Sequence, residues 1–468
     1  MQTQRIRPSS RDVMAMLIML ALISDVWGQV IPQSGITIQQ AVDTAIRNYP
    51  AVTVSQEQID AASAGIQLAR TAYLPRVDSL AQVNRATRNN VFGLLLPQSV
   101  LPSISGPVLG TNDAGSVWGS AVGVTVNWEP FDFGLRRASV SAATAIKTRN
   151  EASLKRTQFE VSVAAADAFL TLVAAQETVR AAQAGVDRAQ SLAQAVRAQV
   201  DAQLRPGADA SRTEAEFAAA HTQLVQAQQA QDIARALLSQ FIGIPPAQIT
   251  VTSARLLQLP PEQTVSSFDA AQNPIAAEQN ALVDQRKAEL RVLEKSYVPK
   301  LFAQGSAFAR GTGAQLDGTR LGGLNGLAPD AQNYALGFSI TFPLLDFASI
   351  RAREAGQSAV LRAETARYQQ ITTELTTRRN VAAAALEGSR KVAANTPVVV
   401  SAAMTANQQA TARYQAGLGT IVEVADAQRL LTQAEIDDAL ARLGVWRALL
   451  STAAAAGDIQ PFLAGATP

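Results

Sequence analysis

The chain has 468 residues and a formal net charge of +2; 47% of it is hydrophobic but only 5% aromatic, fewer bulky side chains than a large globular core uses. The near-neutral balance gives no nucleic-acid footprint. The absence of cysteine excludes disulfides, thiol catalysis, Cys-ligated zinc and lipidation on an N-terminal Cys.

Residues 1–28 read as an export signal peptide. Arg5, Arg7 and Arg11 precede the apolar run VMAMLIMLALI (13–23), which is too short to span a bilayer, and Gly28 is the candidate cleavage point. No other stretch approaches 18 unbroken apolar residues, so an exported chain that crosses a membrane must do so as a closed barrel.

The rest is written twice, over 29–258 and 259–457, with 458–468 as a C-terminal tail. Pro50, Asp60, Ala64 and Tyr73-Leu74-Pro75 overlie Pro274, Asp284, Ala288 and Tyr297-Val298-Pro299 at a constant shift of 224. The shift is 214 where Asp132 overlies Asp346 and where QLRPGAD (203–209) overlies GLGTIVE (417–423).

In chain order, each copy predicts a helix (Ile38–Ala72; Pro274–Ser296) with Ser55 or Asn273 as a cap near its start. Two strands follow, about 76–86 and 117–128, then about 300–309 and 333–342. Period two is clear in the second strand of each copy. Trp118, Val122, Val124, Val126 and Trp128 oppose small and polar residues, as do Tyr334, Leu336, Phe338, Ile340 and Phe342. The first strands are weaker, and Phe302 and Phe308 break the pattern. Such strands, with aromatics at their ends, suit an outer-membrane barrel. Four strands cannot close one alone, so several chains must share it.

A long helix comes next, about 136–204 and 350–412, then a tight turn and a return helix, about 209–240 and 421–456. Leu172, Val179, Val186, Ala193 and Val200 step by seven beside Ala168, Ala175, Ala182, Ala189 and Val196. A helix from Arg136 to Leu204 spans roughly 100 Å, far more than a compact domain needs. At the strand-to-helix junctions Pro130 and Pro343 stop the ladder, and Asp132 and Asp346 are placed to cap the helix.

With EPFDFGLRRA and FPLLDFASIRA at these junctions, RYQAGLGTIVEVADAQ (413–428) at a turn, and AYLPRVD and SYVPKLF before the strands, the sequence resembles the outer membrane efflux protein family, the TolC-like channels, over roughly 36–457. The resemblance implies a mainly α fold with membrane β. It implies a homotrimer with a 12-stranded outer-membrane barrel and a periplasmic α-helical tunnel. Its members are not enzymes. They serve as passive exit ducts in tripartite efflux or type I secretion, with a periplasmic adaptor and an inner-membrane transporter as partners. Carried over, Glu423 and Asp426 take the two carboxylate positions that ring the closed periplasmic entrance, and Tyr414 and Asp209 a latch pair. Gln203, Leu204, Arg205, Gly417, Leu418 and Gly419 take the tips that meet the adaptor. The chain departs from the pattern in having Glu at 423, Gly419 in place of a basic latch residue, and Gln203 in place of a turn glycine. Without the resemblance, Glu423 and Asp426 read as acids stabilising a helix N-terminus.

No catalytic, cofactor or metal site is predicted. His221 lacks metal-ligand spacing, Asp437-Asp438 has no catalytic company, and GTGAQLDG (311–318) lacks the Lys and helix of a phosphate cradle. VFGLLLPQSVLP (91–102) is unusually apolar for an extracellular loop. The competing class is a non-conducting trimeric coiled-coil structural protein or adhesin. Such a stalk does not need two internal strand hairpins with a small-polar face.

Overall fold

The structure is a computed structural model that describes residues 35–87, 115–261, 268–315, 319–342 and 346–467. The export signal, the apolar loop 91–102 and Pro343 lie outside the described residues.

The single helix expected over Ile38–Ala72 is two helices, α1 (Ile38–Asn48) and α2 (Pro50–Thr71). The proline ring at 50 pushes Tyr49 into an extended conformation (ψ 123°) and restarts the helix at its first position. Thr37 and Gln40 cap α1 reciprocally. Ser55, expected as a cap, lies inside α2 and donates back to Ala51 O at 3.0 Å. Its second-copy analogue behaves as expected: Asn273 Oδ1 accepts from Ile275 N at 3.0 Å and caps α5 (Pro274–Glu294).

Four strands, β1 (Arg76–Thr87), β2 (Ser116–Phe131), β3 (Lys300–Thr312) and β4 (Ala331–Thr341), form one antiparallel meander in chain order. The register sorts the residues onto two faces. Val77, Val126, Gly305 and Leu336 stand in one cross-strand row, and Val124, Ala307 and Tyr334 in the next. On this face Tyr334, Leu336 and Phe338 are each more than 80% exposed. Trp118 and Trp128, ten residues apart on the same face, are separated by about 34 Å along the strand. At a tilt near 40° that is about 26 Å, the height of a lipid-facing band. The opposite face carries Arg76, Asp78, Gln82, Thr125, Asn127, Gln304, Ser306 and Asn333. Phe308 shares this polar face because Gly123 stands directly opposite; a Cβ there would come within 2.4 Å of the Phe308 Cβ.

The rods are α3 (Leu135–Asp201, 67 residues) with its return helix α4 (Gly207–Ile242), and α6 (Phe347–Gln415, 69 residues) with α7 (Ile421–Ala456). At 1.5 Å per residue α3 and α6 are each about 100 Å long. Side by side the helices run α4, α3, α7, α6. The heptad rows seat this layer: Ala168, Leu172, Ala182, Val186, Ala189 and Val196 of α3 are all buried. Near the middle of α3, Val161–Val173 meets Ile38 and Val42 of α1, Leu238 of α4, and Trp446 and Leu450 of α7 in the main core. The segment expected as a C-terminal tail folds into this core as α8 (Gln460–Ala466), burying Phe462 and Leu463.

Candidate functional site

The two ends of the rods carry the predicted site residues. At the barrel end, β2 runs past Pro130 to Phe131, with a register shift between Trp128 and Phe131; the proline sits in a bulge where no ladder donor is needed. Phe133 and Gly134 then turn the chain through left-handed φ values of 50° and 98°. Asp132 is buried behind this turn. Its carboxylate accepts the Gly134 N–H (3.2 Å), the Arg136 N–H and Arg136 Nε (3.0 Å). Arg136 also donates to Ala72 O at 3.1 Å and lies 4.8 Å over the Tyr73 ring. Burial pushes the Asp132 carboxyl up, but the Arg136 and Gly134 donors outweigh it and hold it below the usual range.

The second junction is built differently. Asp346 stands at the N-cap position of α6, and its backbone oxygen accepts from Ile350 N at 2.9 Å, but its carboxylate makes no capping bond. Position 350 is Ile where the first copy has Arg136. Tyr297, the counterpart of Tyr73, stacks on Phe347 at 5.7 Å and donates to Glu354 Oε2 at 2.8 Å.

At the far end both tips close by the same hydrogen-bond pattern, 214 residues apart. Leu204 N donates to Gln199 O and Gln203 N to Val200 O; Leu418 N donates to Arg413 O and Gly417 N to Tyr414 O. The left-handed residue is Gly417 (φ 73°) in one tip and Gln203 (φ 60°) in the other, so the unexpected glutamine takes the strained conformation itself. Leu204 and Leu418 project at 73% and 71% exposure.

Tyr414, 2% exposed, packs with Val196, Ile421 and Val424, and its hydroxyl donates to Asp209 Oδ2 at 3.2 Å. Burial first, and the Asp209 carboxylate second, push its phenol above the ordinary value, while Arg205 pulls the other way. Arg205 is half-buried among exposed neighbours. It donates to Tyr414 O at 2.6 Å, with its guanidinium 4.5 Å over the ring. Glu423 and Asp426 lie one turn apart at the start of α7, both about half exposed. Thr420 Oγ1 caps α7 by accepting from Glu423 N at 3.3 Å, and Arg413 lies 3.9 Å from the Glu423 carboxylate. Asp426 pairs with Arg429, which also reaches toward Glu216 of α4 at 3.8 Å. Tyr414 and Asp209 are therefore brought together; Glu423 and Asp426 stay at the surface of the subunit. Arg205, Arg413 and Arg429 were not legible as partners of these groups. One signal was present: Gly419 carries no charge where the family resemblance expects a basic residue, and the facing turn offers Arg205. Among the described residues no group of three or more His, Asp or Glu could hold a metal ion.

A four-stranded lipid-facing sheet continued by rods about 100 Å long, with two helical tips held side by side, is a TolC-like channel subunit. The chain belongs to the outer membrane efflux protein family, which it matches over residues 41–244 and 269–458. It is an efflux channel of the outer membrane with its helices in the periplasm, and the adhesin alternative falls. Its fold is that of the open-state MtrE channel of Neisseria gonorrhoeae (TM-score 0.71, 18% identity, covering 90% of this chain and 89% of that one). It is likewise that of the CmeC channel of Campylobacter jejuni (TM-score 0.71, 15% identity, covering 90% and 85%). Among curated proteins it is similar to the cobalt-zinc-cadmium resistance protein CzcC of Cupriavidus metallidurans, 25% identical over 310 residues, 65% of this chain and 69% of CzcC.

Proposed function

We propose that three copies close one barrel and extend it as a hollow stem, giving a passive exit duct fed by an inner-membrane transporter through a periplasmic adaptor. The observation that carries this is the sheet's pair of open edges. Among the described residues β1 and β4 each pair on one side, and unpaired backbone groups are not tolerated in lipid. The meander runs alternately, so β4 of one copy lies antiparallel to β1 of the next. The helix layer is open likewise: Ile233 and Leu237 on α4, and Val381 and Val392 on α6, are exposed at its two sides. Residues 1–28 serve as the export signal.

In the trimer Glu423 and Asp426 ring the periplasmic entrance, where clustered carboxylates favour cations. Tyr414 and Asp209 latch it. Gln203, Leu204, Arg205, Gly417, Leu418 and Gly419 present the tips to the adaptor, with Leu204 and Leu418 supplying the apolar contact. The likeness to CzcC makes cobalt, zinc and cadmium ions the first cargo to test.

Two measurements test the reading. Because the chain has no cysteine, Cys pairs placed at Val77 and Ile340 report only designed contacts; oxidation is expected to give covalent trimers. Purified protein in planar bilayers is expected to conduct, with cation block relieved by Glu423→Ala/Asp426→Ala. Monomers without crosslinks and without conductance defeat the duct; unchanged block defeats the carboxylate ring alone.

A further inference from the structure

We infer that Arg205 is the positioning residue that clamps the α6–α7 tip to the α3–α4 tip and so holds the periplasmic entrance shut. The inference rests on the duct reading and adds a residue to it. Three observations carry it. Arg205 is half-buried at a turn whose flanking residues, Leu204 and Pro206, are exposed, so within the exposed tip its side chain is the one that folds inward. Its guanidinium donates to Tyr414 O at 2.6 Å, a carbonyl in the last turn of α6, where the helix dipole is negative and a cation is favoured. Its Cζ also lies over the Tyr414 ring, 4.5 Å from the centroid.

These contacts join the two helical hairpins at their ends. Between hairpins the lower rods otherwise meet mainly along α3 and α7, so α6 can swing away from the first tip only if Arg205 lets go. The Tyr414–Asp209 bond at 3.2 Å is longer and joins the same two tips. Arg205 binds the backbone of α6 as well as the ring; Gly419, at the matching position of the second tip, carries no charge, and Arg413 of that tip is turned to its own Leu418 O and Glu423.

The test is unitary conductance and open probability of the full-length protein in planar bilayers, for the parent, Arg205→Met and Arg205→Lys. Met keeps an apolar stem over the ring and removes the charge. Loss of a charge-assisted hydrogen bond is expected to lower the shut-to-open ratio roughly 30-fold, about 2 kcal/mol at 1.4 kcal/mol per tenfold. Arg205→Lys keeps the charge and a donor without the planar guanidinium, and is expected to fall between parent and Arg205→Met. A parent that conducts and an Arg205→Met that behaves like it overturn the clamp and leave the duct standing. Equal opening of the Lys and Met variants also overturns it, because the shape of the turn would then hold the tip. If neither parent nor variants conduct, the duct falls and the clamp with it. Trimer content of each variant, read from the β1–β4 crosslink, separates a released tip from a failed assembly, and opening without intact trimers counts against the clamp.

Discussion

Asp132→Ala removes a carboxylate that does three things at once: it accepts two backbone N–H groups at the start of α3 and pairs with Arg136. The Asp132 and Arg136 side chains are only 12% and 8% exposed. Breaking a buried pair from one side costs about 3–5 kcal/mol, because the remaining charge stays desolvated. Arg136 keeps Ala72 O and the Tyr73 ring as partners, so the low end of that range, about 3 kcal/mol, is expected. Asp346→Ala at the equivalent place removes no side-chain capping bond and is expected to cost under about 1 kcal/mol. Thermal or urea melting of the detergent-solubilised assembly measures both. Arg136→Met alone leaves an unpaired carboxylate, while the double variant removes both charges and is expected to be milder than Asp132→Ala. The Asp132 carboxyl titrates below its unfolded value, so its contribution is complete above about pH 4 and is lost as pH falls further, through the lowered folded value. Equal costs at Asp132 and Asp346, or a loss at Asp132 within about 0.5 kcal/mol of the parent, refute the reasoning.

Three further outcomes follow from named contacts. Phe338→Arg, on the exposed apolar face of β4, is expected to lower barrel stability by about 2–4 kcal/mol in bilayer folding assays, whereas Ser339→Arg on the other face costs far less; equal penalties would contradict the face assignment. Gln203→Gly relieves a left-handed residue and is expected to stabilise by about 0.5–1 kcal/mol. Gly417→Ala, with open space around the new Cβ, costs a similar amount from backbone strain alone, and both are read by melting. The Tyr414 phenol titrates above its unfolded value near 10. The folded tip therefore resists ionisation, and its stability, full below about pH 10, declines as pH rises beyond it; spin-label distances between the tips are expected to lengthen there, and Tyr414→Phe is expected to abolish that alkaline step.

Much of this fold is legible in the sequence because the elements are long and their periods unambiguous. The alternation in 117–128 and 333–342 matches the lipid-facing rows, and the Leu172 to Val200 heptad marks the buried seam of α3. Two misreadings share a cause. Ser55 and Asp346 have the right residue types near a helix start, but capping depends on where the turn places the oxygen, and type alone does not fix that. The break at Tyr49 is written in Pro50, whose ring disfavours a helical conformation in the residue before it. Arg205 was illegible for another reason. Its partner Tyr414 is 209 residues away, and only the folded layer sets the two turns side by side.

The same device appears at both ends of α3. Arg136 bonds Ala72 O, at the end of α2, and covers Tyr73; Arg205 bonds Tyr414 O, at the end of α6, and covers Tyr414. In each case a guanidinium meets a helix C-terminus, where free carbonyls concentrate negative potential, and spreads over an aromatic face that a lysine ammonium cannot match in shape. Both arginines come from the first copy. Their positions in the second copy are Ile350 and Gly419, which can do neither. The first copy thus fastens the rod at both ends: at the barrel end the helix held is its own, through Ala72 O, and at the tip it belongs to the second copy, through Tyr414 O. In the proposed duct, such divergence would tie the first hairpin to the barrel end through Arg136 and leave the second held at its tip through Arg205, as an entrance that opens at one end without unseating the barrel would require.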